Sequence, residues 1–216
     1  MVLLAIAIIT ALFLITVPKG QAENATQRGQ GAVDNASGAG QVSGEGAIIN
    51  PGFEVSGQNG WTCFGDAARQ GPPNQCVYFP SSSYSPPVEP QEGRNVGYVA
   101  HDQGACGIHG FAQRVVVPEQ QTTLSFSLRT SLNTNREAGV YVLDSDGNLI
   151  AEAIHSRKDS SIPAPTDWTE ETIDLSGHAG EEVQIIVGNA ETADNCDESG
   201  RYQVWVDDFG FGIDGG

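Results

Sequence analysis

TTLSFSLR, residues 122–129, puts Leu124, Phe126 and Leu128 on one side of an extended chain and Ser125, Ser127 and Arg129 on the other. A strict two-residue alternation marks a strand with one face in a core and the other toward water. Upstream, FAQRVVV (111–117) reads as a second strand, stopped by Pro118, which cannot donate to a ladder. Downstream, GVYVLD (139–144) and Leu149–Ile154 flank Ser145-Asp146-Gly147-Asn148, and Asp-Gly between apolar runs predicts a hairpin. Further short strands are expected at 48–54, 61–64, 76–79, 95–101, 169–175, 182–188 and 202–213. Outside the N-terminus only Ser176–Gly180 hints at a helical turn. The 27 glycines and 11 prolines among 216 residues fit many turns rather than long helices. Ten to eleven short strands predict an all-β domain, a two-sheet antiparallel β-sandwich of the jelly-roll kind.

That domain is expected to fill residues 47–216. Ahead of it, residues 23–46 are Gly, Ala, Ser, Gln and Asn with almost no large apolar side chain, the composition of a flexible linker. The linker carries two N-x-S/T sequons, at Asn24 and Asn35. Residues 1–22 read as a signal peptide: an apolar run at 2–17 is short for a bilayer span, and Gly20 and Ala22 give a small-x-small cleavage pattern. No Lys or Arg precedes the run, so retention as a membrane anchor is the alternative. Either way the domain is expected to be secreted or at the cell surface.

Export agrees with four cysteines and no C-x-x-C pair. Four cysteines allow three pairings. Cys63–Cys76, closing one loop, and Cys106–Cys196, pinning two distant loops, are the expected bridges.

The net charge is −17, with only two lysines, Lys19 and Lys158. Such a surface repels nucleic-acid phosphates and anionic lipid, which excludes a nucleic-acid partner and leaves the membrane only as an anchor for a retained N-terminus. It suits divalent cations and neutral ligands.

Four stretches in order carry a family resemblance: Asn50-Pro51-Gly52-Phe53-Glu54 followed by Gly60-Trp61; Gln113–Pro118 followed by TTLSFSLR; Trp168 followed by Asp174–Gly180; and Val206-Asp207-Asp208-Phe209. Together they resemble secreted carbohydrate-binding modules of the galactose-binding-like jelly-roll superfamily, often attached to glycoside hydrolases. The resemblance implies a poly- or oligosaccharide partner and no catalysis. It also implies a structural calcium held by the acid closing the first strand and an Asp of the last strand. Here these are Glu54 and Asp207, with backbone oxygens near Asn50. The chemistry suits the ion, since calcium takes six to eight oxygens and irregular backbone supplies carbonyls beside carboxylates. Trp205, Asp207, Phe209 and Phe211 share one parity, and an acid among aromatics calls for a partner.

Sugar binding uses flat aromatic faces against C–H groups and amides, acids or arginine against hydroxyls. The candidates are Tyr98, His101 and Asp102 near one loop, and Gln113, Arg129 and Tyr141 on strands. Each has a plain structural reading as well: Tyr98 and Tyr141 as core, Gln113 bonding sheet backbone, Arg129 pairing with an acid. Trp61, Trp168 and Trp205 are expected mainly to pack, and the irregular loop 81–93, with Tyr84, is a further contact surface. Asp144–Asn148 reads as a hairpin turn rather than a calcium loop, because the bidentate Glu of an EF-hand is missing. The acidic loop 194–198 reads as solvated. His101, His109, His155 and His178 have no metal spacing and are expected in polar loops. No G-x-S-x-G, P-loop or dinucleotide fingerprint occurs. The alternative to a sugar-binding module is an extracellular structural, adhesion or filament-forming protein that uses the sandwich for protein contacts or self-assembly.

Overall fold

A computed structural model describes residues 46–55, 60–64, 77–78, 89–101, 109–132, 137–156, 167–189 and 202–212. Residues 1–22, where a signal peptide is expected, nearly all of the expected linker with Asn24 and Asn35, Tyr84, Asp102 and the 194–198 stretch lie outside the described residues.

Ten strands are described: β1 Thr62–Phe64, β2 Val77–Tyr78, β3 Val96–His101, β4 His109–Val116, β5 Thr123–Leu132, β6 Glu137–Leu143, β7 Leu149–Ser156, β8 Thr169–Asp174, β9 Glu182–Asn189 and β10 Tyr202–Gly212. One 3-10 turn, Ser176–His178, is the only helical element among them. The strands form two five-stranded antiparallel sheets, a jelly-roll β-sandwich. Sheet A has the order β1-β4-β9-β6-β7 and sheet B the order β2-β3-β10-β5-β8.

Alternation drives both sheets. Leu124, Phe126 and Leu128 of β5 meet Phe111 and Val115 of β4, Val183, Ile185 and Val187 of β9 and Val140 and Val142 of β6 in one core. The Asp144 hairpin closes as expected: Asp144 Oδ1 accepts from the N–H groups of Asp146 and Asn148 (3.0 and 2.7 Å), and Oδ2 from Asn148 Nδ2 (2.8 Å). That carboxylate is fully engaged by its own turn.

The expected first strand at 48–54 is instead a turn that plugs the end of the sandwich. Pro51 and Gly52 bend the chain so that Phe53 N–H returns to Asn50 O (3.1 Å), while the Asn50 side chain bonds both the N–H and the C=O of Val55 (2.9 Å each). Asn50 and Phe53 take φ of 53° and 57°. An aromatic residue in that region costs about 1–3 kcal/mol. Burial offsets the cost: the Phe53 ring stacks on Trp61 and meets Phe111 and Phe209 edge-on. Ile49 pairs not with a strand but with the Gln113 side chain, whose Oε1 accepts from Ile49 N–H (2.7 Å) and whose Nε2 donates to Ile49 O (3.0 Å).

Strand β10 carries a second departure. The expected common parity of Trp205, Asp207, Phe209 and Phe211 is broken by a bulge between Asp207 and Gly210, with Asp208 at φ 58°. Trp205 and Asp207 stay on the outer face of sheet B, and Phe209 turns into the core against Phe126. Cys63 is the only cysteine among the described residues and is held in a disulfide. Cys76, Cys106 and Cys196 lie outside them, so the expected pairing does too.

Candidate functional site

Residues 89–95 lead into β3 and are held by carboxylates from far away in the chain. Asp207 Oδ2 accepts from the N–H groups of Gln91 (2.9 Å) and Glu92 (3.2 Å). Glu54 Oε1 accepts from those of Arg94 (2.7 Å) and Asn95 (2.9 Å). Glu92 N and Arg94 N are at most about 7 Å apart along the backbone, so both acids stand on one short loop. Asn95 ties the arrangement to the plug, donating from Nδ2 to Phe53 O and Glu54 O (3.2 Å each). Gly93 is required here: it has φ +58°, and a Cβ would run into the Glu54 carboxylate.

Asp207 is fully buried. Burial pushes its carboxyl up to about 6, against the pull of the N–H donors of Glu92, Gln91 and Asp208. Asn95 Oδ1 is buried with no hydrogen-bond partner. Two carboxylates, one orphaned amide oxygen and irregular backbone are all oxygen donors, the ligand chemistry that calcium takes. No group of three His, Cys, Asp or Glu side chains among the described residues could hold a metal, so backbone oxygens would have to complete the shell. Asn50 is placed otherwise than as a ligand, since its carbonyl already accepts from Phe53 N (3.1 Å) and Trp61 Nε1 (3.2 Å).

The outer face of sheet B begins beside Asp207. Trp205 pairs across the ladder with Tyr98 on β3 and Arg129 on β5. The Tyr98 and Trp205 rings lie 5.4 Å apart, and the Arg129 guanidinium sits 5.7 Å from the Trp205 ring centre, in cation–π range. Gln203 Nε2 donates to the Tyr98 hydroxyl (2.9 Å). Tyr98 and Trp205 are each only 7% exposed, so this row is a packed layer and not an open platform.

Next to it lies a cleft of about 310 Å³. Ser125 and Ser127 of β5 form its floor, Trp168 and Glu170 one side, and Gln91, Glu92 and Asp208 the other. Trp168 is half-buried, and its indole N–H is fixed on Glu89 O (2.9 Å). Among the described residues that line it there is no lysine, arginine or histidine, while three carboxylates are present, from Glu92, Glu170 and Asp208. A ligand here meets an aromatic wall, hydroxyls and strong acceptors, and an anion meets repulsion.

The six residues expected to bind sugar do not converge. Tyr98 and Arg129 share the Trp205 row. Gln113 shares the inward parity of Phe111 and Val115, so its amide points away from the outer faces of the sandwich and bonds Ile49. Tyr141 packs on the outer face of the other sheet with Ala112, Leu143 and Ile186. His101 closes β3 opposite Tyr202, its side chain and Asp102 being outside what is described. Trp61 packs as expected, whereas Trp168 borders the cleft. The lining residues Glu92, Glu170 and Asp208 were not anticipated; Trp168 beside the alternating Thr169-Glu170 was the available signal. His109 and His155 are not loop residues but belong to β4 and β7.

No protein-family model and no curated protein matches the chain. Solved structures similar to it include TmCBM61 in complex with β-1,4-galactotriose (18% identity, TM-score 0.46, 76% of this chain and 96% of that one). Another is the K3 cleaved adhesin domain of Lys-gingipain from Porphyromonas gingivalis W83 (14%, TM-score 0.46, 75% and 96%). A third is the N-terminal cellulose-binding domain of Cellulomonas fimi β-1,4-glucanase C (16%, TM-score 0.39, 78% and 97%).

Proposed function

We propose that the chain is a non-catalytic carbohydrate-binding module that works outside the cell, secreted or at its surface, and is stabilised by calcium. The observation that carries this reading is the Trp168 cleft. A pyranose or furanose ring presents C–H groups on one face and hydroxyls around its rim. The Trp168 indole, oriented by Glu89 O, suits the first. Ser127, Glu170, Glu92 and Asp208 suit the second, carboxylates being acceptors for sugar hydroxyls. The acidic lining favours neutral over uronic or sulfated glycans.

Calcium is proposed at Glu54 and Asp207, with Asn95 Oδ1 and backbone oxygens as further donors. When bound it would supply positive charge to a buried carboxylate and tie the Phe53 plug to β10.

Affinity electrophoresis and pull-down on galactan, arabinan and cellulose, with assay of released reducing ends, test the reading. Retention on at least one polysaccharide without release, and a loss of at least tenfold in affinity in Trp168→Ala, is the expected result. Failure to bind any glycan, with self-association in calcium, would favour an adhesion or assembly protein instead.

A further inference from the structure

Residues 89–95 serve two places at once. Their N–H groups are anchored on Asp207 Oδ2 and Glu54 Oε1. Gln91 and Glu92 also line the cleft, and Glu89 O holds the Trp168 ring, which lines it too. Asp208, also in the lining, follows Asp207 directly on the β10 bulge and donates its N–H to Asp207 Oδ1 (2.9 Å). Asp207 is thus one hydrogen bond from the lining residues Gln91 and Glu92, and Glu54 holds the same loop two to three residues further on, at Arg94 and Asn95.

We infer that Asp207 and Glu54 are positioning residues for the cleft, and that a divalent cation on them and a saccharide against Trp168 bind with positive coupling through residues 89–95. The inference rests on reading the cleft as a saccharide site. A cation on these carboxylates changes what their oxygens offer to the N–H groups of residues 91, 92, 94 and 95. The wall and the indole then follow, because no strand ladder holds residues 91–95 before β3 begins at Val96. By linkage, the factor by which the cation tightens the saccharide equals the factor by which the saccharide tightens the cation.

The test uses the full chain labelled with 5-fluorotryptophan, the Trp168 fluorine resonance being assigned from Trp168→Phe. The probes are calcium chloride, then soluble galactan, arabinan and cellulose oligosaccharides. Calcium is expected to move the Trp168 resonance over the same concentrations that raise the melting temperature. Saccharide affinity is expected to rise about 5- to 150-fold in calcium, the usual span for coupled sites. Asp207→Asn alters a fully buried group and puts the fold at risk, so Glu54→Gln, at an exposed position, carries the test. Glu54→Gln should need at least tenfold more calcium for the same Trp168 shift. A Trp168 resonance that stays put while calcium raises the melting temperature overturns the inference, as does a protein that calcium does not affect at all. Saccharide binding that is equal with and without calcium removes the coupling and leaves the cleft reading standing. A Trp168 shift abolished in Glu54→Gln, with no glycan bound under any condition, upholds the positioning role and removes the saccharide reading.

Discussion

His155 Nε2 lies 3.2 Å from Glu171 Oε1, and the two residues belong to different sheets. His155 is on β7, the edge of sheet A, and Glu171 on β8, the facing edge of sheet B. Nδ1 of the same ring meets the buried Thr130 hydroxyl at 3.0 Å. With the neutral ring, Nε2–H donates to the carboxylate and Thr130 donates to Nδ1, so both nitrogens are used. One imidazole therefore latches this side of the sandwich.

Replacing His155 by Ala should cost about 1–3 kcal/mol, because the Thr130 hydroxyl is left buried without its partner. Urea denaturation should show a lower midpoint. Glu171→Gln should cost less than about 1 kcal/mol, since that side chain is 31% exposed and the pair is screened by solvent. Equal losses in the two variants would contradict the latch.

Asp207 sets a pH dependence of unusual sign. Its carboxyl is lifted to about 6 by burial, so between about pH 4 and 6 the folded state holds a proton that the unfolded state has released. Stability from this group is present below about pH 4, falls as the pH rises through 6 and is flat above. The span is on the order of 3 kcal/mol. Denaturant melts in EDTA from pH 4.5 to 7.5 should show a decline that Asp207→Asn lacks. Calcium, binding the ionised form, should restore stability above pH 6.

Gln113 makes a side-chain imitation of a strand bridge with Ile49 inside the core. Gln113→Leu matches the apolar surroundings but leaves Ile49 N–H and C=O without partners. A loss of about 2–4 kcal/mol is expected in calorimetry or chemical melts. Saccharide binding at saturating calcium and low temperature should survive, because Gln113 is remote from the cleft lining.

Gly93→Ala should destabilise by about 1–3 kcal/mol, through a left-handed backbone and a collision with the Glu54 carboxylate. It should also weaken the thermal shift given by calcium. Gly177→Ala is the comparison: a Cβ there meets no atom within 4 Å, and its melting temperature should stay close to wild type.

Most of the strands were legible because alternation is local. Leu124, Phe126 and Leu128 declare their face within one short window, and the Asp146-Gly147 turn is closed by its own Asp144. The plug was not legible, because Ile49 bonds the Gln113 side chain and the Asn50 side chain bonds the Val55 backbone, where a strand would have a ladder. The parity of β10 was misread at the bulge, although Gly210 within the strand is the kind of residue that marks one. His155 shares the parity of the partly buried Ala151 and Ala153, so its inward aim could have been found. The cleft had no such local trace. Its walls come from the 91–92 loop, β5, β8 and the β10 bulge, and only the packing of sheet B brings them together.

Strand β10 follows every other described strand and yet occupies the middle of sheet B, bonded to β3 on one side and β5 on the other. A nascent polypeptide that has released β1 to β9 therefore still has sheet B split into two halves, each with an open edge, and lacks the Phe209 ring of its core. Sheet B cannot close until β10 has been made. Until then the unpaired edges of β3 and β5 are the surfaces that chaperones would need to shield from neighbouring chains.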